Sequence, residues 1–268
     1  MIYYPICKIN LGLRVVGKRD DGFHEISTLM YPVTRLCDVL EIIPSEEFSL
    51  IQSGLEIDCA MEKNICFKAY ELMKKEFSLP PVAMHLYKNI PFGAGLGGGS
   101  SDASYVIRGL NEIFRLSLSS QQMKNLSARL GSDTAFFIDN TPAVSSGRGE
   151  ILSPSSVSLS GYTLVILKPE DMVSTSEAYR GVKISGEKNV DLENLPLEKW
   201  RENVFNDFEE HIFKAHPKIE ELKEYLYNIG AIYASMSGSG AAVYGIFNKK
   251  LDFQISLPQV FVHQEVVF

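Results

Sequence analysis

Residues 91–101, Pro-Phe-Gly-Ala-Gly-Leu-Gly-Gly-Gly-Ser-Ser, set five glycines within seven positions and end on two serines. A backbone stripped of side chains exposes its amides. Where such a loop runs into a helix, the positive end of the helix dipole adds to them, and the pair binds phosphate oxygens. Ser100 and Ser101 bring hydroxyls that can donate to phosphate or reach a magnesium ion. A flexible linker has a similar composition, but this loop is clamped between a predicted strand at 82–88 and a predicted helix at 100–114. Gly93-x-Gly95-x-x-Gly98 formally matches the dinucleotide fingerprint. A Rossmann unit needs a parallel strand directly after its helix, and here a second helix, at 119–130, follows instead. A Walker loop needs Gly-Lys-Ser/Thr, and this loop has no lysine.

The remaining chemistry-bearing side chains are scattered. Cys7, Cys37, Cys59 and Cys66 form no CxxC pair, and the closest two are seven apart with no histidine beside them. They read as small buried or half-buried thiols of a reducing compartment. His211 and His216 are five apart, the wrong spacing for one helical face, and no HExxH occurs, so metal-hydrolase chemistry finds no motif here.

The elements that must position the loop follow from patterning. Segments 6–16 and 24–33 read as strands joined by a tight turn at Asp21-Gly22, with shorter strands at 38–43 and 48–52. Asn64 caps a helix that ends before Pro80-Pro81, and Ser119 caps the helix at 119–130. The serine- and glycine-rich stretch 145–160 is the expected boundary between halves. Beyond it come a buried strand TLVILKP, helices near 174–181, 203–214 and 217–229, a strand-loop-strand ASMSGSGAAVYGIF, and a C-terminal strand VFVHQEVVF that can complete a sheet or support a dimer. The order is α+β, not eight regular βα repeats. The 268 residues suffice for one large or two small domains, and 45 % hydrophobic with 22 % charged residues excludes wholesale disorder. A net charge of −7 argues against general nucleic-acid binding. No apolar run approaches the ~18 residues of a membrane span. The N-terminal MIYYPICKIN lacks a signal-peptide pattern, so the expected location is cytoplasmic.

Pro-x-x-x-Gly-Leu-Gly-Gly-Gly-Ser-Ser resembles the nucleotide loop of the GHMP kinases. Ile6-Cys-Lys-Ile-Asn10 resembles that family's first motif, and Ser235-Met-Ser-Gly-Ser-Gly-Ala-Ala242 its glycine-rich third, in the right order and over essentially the whole chain. Gly17-Lys-Arg-Asp-Asp-Gly-Phe-His-Glu25, the triple glycine and Leu130-Gly-Ser-Asp133 are most similar to the members whose acceptor is the 2-hydroxyl of a cytidine-diphosphate-linked methylerythritol, in the non-mevalonate route to isoprenoids. The resemblance implies a two-domain fold, with an N-terminal ribosomal-protein-S5-like α/β domain over 1–153 and a C-terminal ferredoxin-like α+β domain over 154–268, and both substrates in the cleft between them. It implies ATP as co-substrate with Mg2+, a small-molecule acceptor, no nucleic acid or membrane, and a monomer or weak homodimer. A homoserine- or mevalonate-type kinase, or a non-catalytic nucleotide-binding relative, remains the alternative.

By the same resemblance Asp133 is the general base, with Lys8 beside it. An ammonium within ~4–6 Å keeps a carboxylate ionised and can stabilise developing phosphoryl charge. ATP would meet Pro91, Phe92, Gly93, Ala94, Gly95, Leu96, Gly97, Gly98, Gly99, Ser100 and Ser101, with Asn64 at the adenine pocket and Lys88 at the approach to the loop. Ser101 is the candidate magnesium ligand. The cytidine would stack between Phe23 and Tyr179, with His24 reading its polar edge and Asn10 and Thr175 nearby. From the residues alone, Asp133 could equally be a surface aspartate, Lys8 a solvated strand residue and Tyr179 an ordinary packed aromatic. The chain departs from the family at Phe23, where tyrosine is usual, at Cys7, where alanine is usual, at Thr134-Ala135, where a hydrophobic-proline step is usual, and at Asp102, where asparagine is common. Asp102 would bring a negative charge to the first turn, near a bound triphosphate.

Overall fold

The computed structural model describes residues 1–56, 60–248, 251 and 254–268. Along the chain run β1 (Ile2–Tyr3), β2 (Ile6–Lys18), β3 (His24–Cys37), β4 (Val39–Pro44), β5 (Ser49–Gly54), α1 (Ile65–Phe77), β6 (Val82–Lys88), α2 (Gly98–Ile113), α3 (Ser120–Ser127) and α4 (Phe136–Asp139). Then follow β7 (Ala143–Ser146), β8 (Ile151–Pro154), β9 (Thr163–Pro169), α5 (Thr175–Gly181), α6 (Trp200–Asn203), α7 (Glu209–Ala215), α8 (Pro217–Asn228), β10 (Tyr233–Met236), β11 (Val243–Phe247) and β12 (Val260–Val266). The architecture is α+β, as expected. Among the described residues no helix is long and apolar enough to cross a membrane.

The chain sorts into two compact units, and neither is contiguous: 1–7, 34–90 and 97–140 form one, and 8–33, 91–96 and 141–268 the other. These units are grouped by contact and are not a single cut of the chain. The first part of the Ser/Gly-rich stretch is a hairpin, β7 pairing antiparallel with β8, closed by Ser145 donating to the Gly149 carbonyl at 2.8 Å. There its serines and glycines serve a turn.

In the first unit the sheet order is β1-β4-β6-β5, with β5 parallel to β6 and the other pairs antiparallel. Alternation along β4 and β6 turns Leu40, Ile42, Val82, Met84 and Leu86 to one core with Ala69, Tyr70 and Met73 of α1 and Val106, Ile107 and Leu110 of α2. Helix α1 starts where Asn64 accepts from the Cys66 amide at 2.8 Å, and it stops where Ser78 turns left-handed at φ 53, ahead of the two prolines. Ser119 makes a full capping box with Gln122 at α3. The four-residue α4 was not anticipated, being too short to show periodicity.

In the second unit two sheets form, β2-β3-β7-β8 and β10-β11-β9-β12. The turn between β2 and β3 closes with Arg19 and Gly22, the latter at φ 84. Central β9 is buried at every position, in keeping with its apolar run Leu164 to Leu167. Helix α8 packs on β9, β10 and β11, with α7 on α8 and α5 on α7. Of the helix expected over 203–214 only the part from Glu209 forms, as α7, with the short α6 ending at Asn203. Between them 205–207 lie along β2, with Leu13 donating to the Phe205 carbonyl and Asp207 to that of Leu13, both at 2.8 Å. β12 completes the second sheet at its edge. Cys7 and Cys66 are buried and Cys37 half-buried, as expected for structural thiols; Cys59 lies outside the described residues.

Candidate active site

In the second unit β2 delivers Lys8 and Asn10 to the first half of the glycine loop. The Lys8 backbone amide donates to the Leu96 carbonyl at 3.0 Å, and its ammonium donates to the Gly95 carbonyl at 2.7 Å and to Asn10 Oδ1 at 2.5 Å. Asn10 is oriented by what surrounds it: its Nδ2 donates to Thr28 Oγ1 at 3.0 Å, and its carbonyl accepts from the Tyr244 hydroxyl at 2.7 Å. Both Lys8 and Asn10 are 2 % exposed, so their geometry is set by the fold and not by solvent. The segment between β10 and β11 closes over the same residues. Ser237 Oγ donates to the Gly95 carbonyl at 3.0 Å, and the Ala241 and Ala242 amides donate to the carbonyls of Gly93 and Ala94 at 2.8 and 3.2 Å. A Cβ on Gly95, whose φ is +69, would lie 1.9 Å from the Ser237 carbonyl oxygen.

In the first unit Gly97, left-handed at φ 72, caps α2. The first intrahelical bond of the helix runs from the Ser101 amide to the Gly97 carbonyl at 2.9 Å, so the amides of 97–100 have no acceptor within the helix. These are the amides a phosphate needs. The Ser101 hydroxyl is fully buried without a hydrogen-bond partner. The loop carrying Asp133 is pinned to the same helix: Ser104 Oγ lies 2.8 Å from the Ser100 carbonyl and 2.6 Å from that of Thr134. Thr134 in turn donates toward the Ser127 and Gly131 carbonyls at 2.5 and 2.6 Å. The hydroxyl thus explains why a threonine can stand after Asp133: it ties down the turn by hydrogen bonds. Asp133 itself is half-buried.

Lys88 does not lie open to a nucleotide. It is 1 % exposed, and its ammonium is bound by the carboxylates of Asp38 and Asp102, the latter at 2.7 Å. Asp38 Oδ1 also accepts from the amides of Asn89 and Ile90 at 2.6 and 2.8 Å, anchoring the chain just before the glycine loop. Burial acts to lower the Lys88 pKa, and the attraction of Asp102 and Asp38 outweighs it, so the ammonium titrates above its ordinary range. Burial pushes the Asp102 carboxyl well above the carboxylate range, against the pull of Lys88. The carboxyl expected beside a triphosphate is therefore turned inward, onto the buried Lys88 that Asp38 also binds. Asn64, buried, caps α1 and donates from Nδ2 to Gln52 at 3.1 Å.

The residues expected at the cytidine belong to the second unit. Tyr179 on α5 stacks on His24, ring centroids 4.8 Å apart at 20°, and meets Phe208 edge-on. Phe23, 51 % exposed, presents one face to the Arg148 guanidinium at 4.8 Å. Thr175 is exposed in the first turn of α5, which Ser174 caps. Burial, then the charge of Lys18, lowers the His24 pKa, favouring a neutral ring that can both donate and accept. Thr28, Asp38, Ser104 and Tyr244 were not anticipated. Nothing local in the sequence marks them, because each acts through a partner many positions away.

Models of the GHMP kinases N terminal domain and the GHMP kinases C terminal region match residues 64–147 and 190–255. The chain is 47 % identical over 252 residues to the 4-diphosphocytidyl-2-C-methyl-D-erythritol kinase of Azobacteroides pseudotrichonymphae genomovar. CFP2, covering 93 % of this chain and 94 % of that one. The chain belongs to this branch of the GHMP kinases. A relative of the same name from Bacteroides thetaiotaomicron is 49 % identical over 253 residues, with 92 % of each chain covered. A solved 4-(cytidine 5'-diphospho)-2C-methyl-D-erythritol kinase superposes with a TM-score of 0.77 at 30 % identity, over 93 % of this chain and 91 % of that one. The chain is thus a kinase of small molecules. As a GHMP kinase it uses ATP as co-substrate, and the loop before α2 is the segment that the family resemblance singles out for the nucleotide.

Proposed function

We propose that this enzyme transfers the γ-phosphoryl group of ATP to the 2-hydroxyl of 4-diphosphocytidyl-2-C-methyl-D-erythritol, a cytoplasmic step of isoprenoid precursor synthesis. The near-half identity to relatives of that name, along almost the full chain, carries the reading. In the reaction the 2-oxygen bonds to the γ-phosphorus as the bond to the β,γ-bridging oxygen breaks. ADP leaves, and the hydroxyl proton passes to the Asp133 carboxylate. General-base assistance of this kind is worth about 10²–10⁴-fold. The Lys8 ammonium, anchored to Gly95 and Asn10, supplies positive charge for the phosphoryl group in flight. The amides of 97–100 receive the phosphates, with Pro91 to Leu96 holding the approach and Asn64 the start of the adenine pocket.

Magnesium fits one residue of this site. Ser101 has a buried hydroxyl without a hydrogen-bond partner, while the described residues include no group of three or more His, Cys, Asp or Glu that could cage an ion. That donor set suits an ion held mainly by phosphates and water, with Ser101 as its protein oxygen. When bound, the ion would neutralise charge on the β- and γ-phosphates. Lys88 drops out of the nucleotide contacts and acts through α2. Phe23 and Tyr179 take the cytosine, with His24 reading its edge and Thr175 and Asn10 close to the substrate. Because His24 already stacks on Tyr179, base binding requires that pair to part or the cytosine to use another face.

An ADP-release assay with Mg-ATP tests the acceptor. Turnover with 4-diphosphocytidyl-2-C-methyl-D-erythritol, and none with mevalonate or homoserine, is the expected result. Turnover with either of the latter alone would discard the cytidine contacts while keeping the family.

A further inference from the structure

One histidine outside these assignments joins two carboxylates. His216 occupies the junction of α7 and α8, its amide donating to the Ile212 carbonyl at 2.8 Å and its own carbonyl accepting from the Ile219 amide at 3.0 Å. Its ring Nδ1 lies 3.2 Å from Asp171 Oδ1, and Nε2 lies 2.9 Å from Glu177 Oε1. Ionised carboxylates only accept. A neutral imidazole has one N–H and so serves one of them; an imidazolium donates to both. Asp171 precedes α5 and Glu177 lies in its first turn, with the buried Val173 and the capping Ser174 between them. One ring therefore ties down both ends of the segment that launches α5, the helix carrying Thr175 and Tyr179.

We propose that His216, as an imidazolium bridging Asp171 and Glu177, is a positioning residue that fixes α5 so that Thr175 and Tyr179 can hold the cytidine end of the substrate. This rests on the cytidyl-substrate reading above. The hydrogen bond to Glu177 raises the His216 pKa most; burial opposes it, and Asp171 adds to it, leaving the ring above its ordinary 6.5. The bond from His216 is likewise the main cause holding Glu177 below the usual carboxylate range. Other charges bear on the clamp from neighbouring elements. His211 of α7 acts on Glu177, and the Lys168 ammonium at the end of β9 donates to the Asp171 carbonyl at 3.1 Å. A ring whose pKa is raised by folding contributes its full stabilisation below 6.5 and loses it as pH rises through the folded-state value. The clamp thus opens on the alkaline side.

The test combines ¹⁵N NMR titration of the histidine rings with steady-state kinetics of wild type, His216→Gln and Glu177→Gln across about pH 6 to 9. The proposal expects the wild-type His216 ring to titrate above 6.5. It expects KM for the cytidyl substrate to rise about tenfold in both variants at the acid end, the scale of a lost charge-assisted hydrogen bond. KM for ATP and kcat should hold, and the gap to wild type should close toward the alkaline end. A pH-independent gap, equal shifts in both KM values and kcat, or a wild-type ring titrating at or below 6.5 would overturn it. Glu177→Gln keeps the test decisive if His216→Gln does not fold. No wild-type turnover of the cytidyl compound would sink the substrate reading instead; the clamp would then be judged by the ring titration and by hydrogen exchange of the α5 amides in the two variants.

Discussion

The two halves of the glycine loop use the same residue for different ends. In 91–96 the carbonyls of Gly93, Ala94, Gly95 and Leu96 are all engaged by partners from β2 or the segment before β11. Glycine is needed at 95 because the backbone of Ser237 lies where a side chain would be. In 97–101 the exposed groups are amides at a helix start, and the room above them is at Gly99, where a Cβ would meet only Ile65, at 3.7 Å, whereas one on Gly98 would lie 2.9 Å from Ile90. One half is a packed joint; the other, in the function proposed above, receives phosphate. A sequence full of glycine does not by itself say which is which.

Four substitutions sharpen or break that contrast. Gly95→Ala puts a Cβ 1.9 Å from a backbone oxygen at a positive φ, so thermal unfolding should show a loss of about 3 kcal/mol or more. An unchanged midpoint would mean the first half is not a joint. Lys88→Met leaves Asp38 and Asp102 facing each other in the interior and should cost about 3–5 kcal/mol in denaturant titrations. Its effect on ATP affinity should appear only as far as the fold is lost. Gly99→Ala should leave the unfolding midpoint near wild type while raising KM for ATP about tenfold, because the added methyl stands over amides proposed to receive phosphate, holding it off a charged hydrogen bond. A stability loss without a change in ATP affinity would reverse the assignment of that half.

Asp102→Asn should have the smallest effect, within about 1 kcal/mol, since it removes the surplus buried carboxylate while Asp38 still pairs with Lys88. Its sign depends on pH. A carboxyl whose pKa is raised by folding favours the protonated native state, and its contribution turns unfavourable as pH climbs above its ordinary 3.8. The variant should therefore gain on wild type as pH rises, in melts run from acid to neutral conditions.

Local signals made much of this legible in the sequence. The helix at the end of the glycine loop, the Asn64 and Ser119 caps, the Asp21-Gly22 turn and the buried β9 all depend on residues a few positions apart. What escaped depends on distance along the chain. Lys88 meets Asp38 across 50 positions, and Ser237 meets Gly95 across 142, so Lys88 read as a residue approaching the nucleotide when it is a buried brace. The β7–β8 hairpin does not stand out because its turn uses the same small residues as the boundary stretch that contains it. The break between α6 and α7 comes from pairing with β2, which the local helical pattern cannot reveal.

The central claim is phosphoryl transfer to the cytidyl alcohol with Asp133 accepting the proton. Its most direct test is ADP release from Mg-ATP with 4-diphosphocytidyl-2-C-methyl-D-erythritol by wild type and Asp133→Asn, with binding of both substrates measured by calorimetry. The account predicts both ligands bound by both proteins and kcat reduced about 10²–10⁴-fold in the variant. Asp133→Asn turning over at the wild-type rate would contradict it.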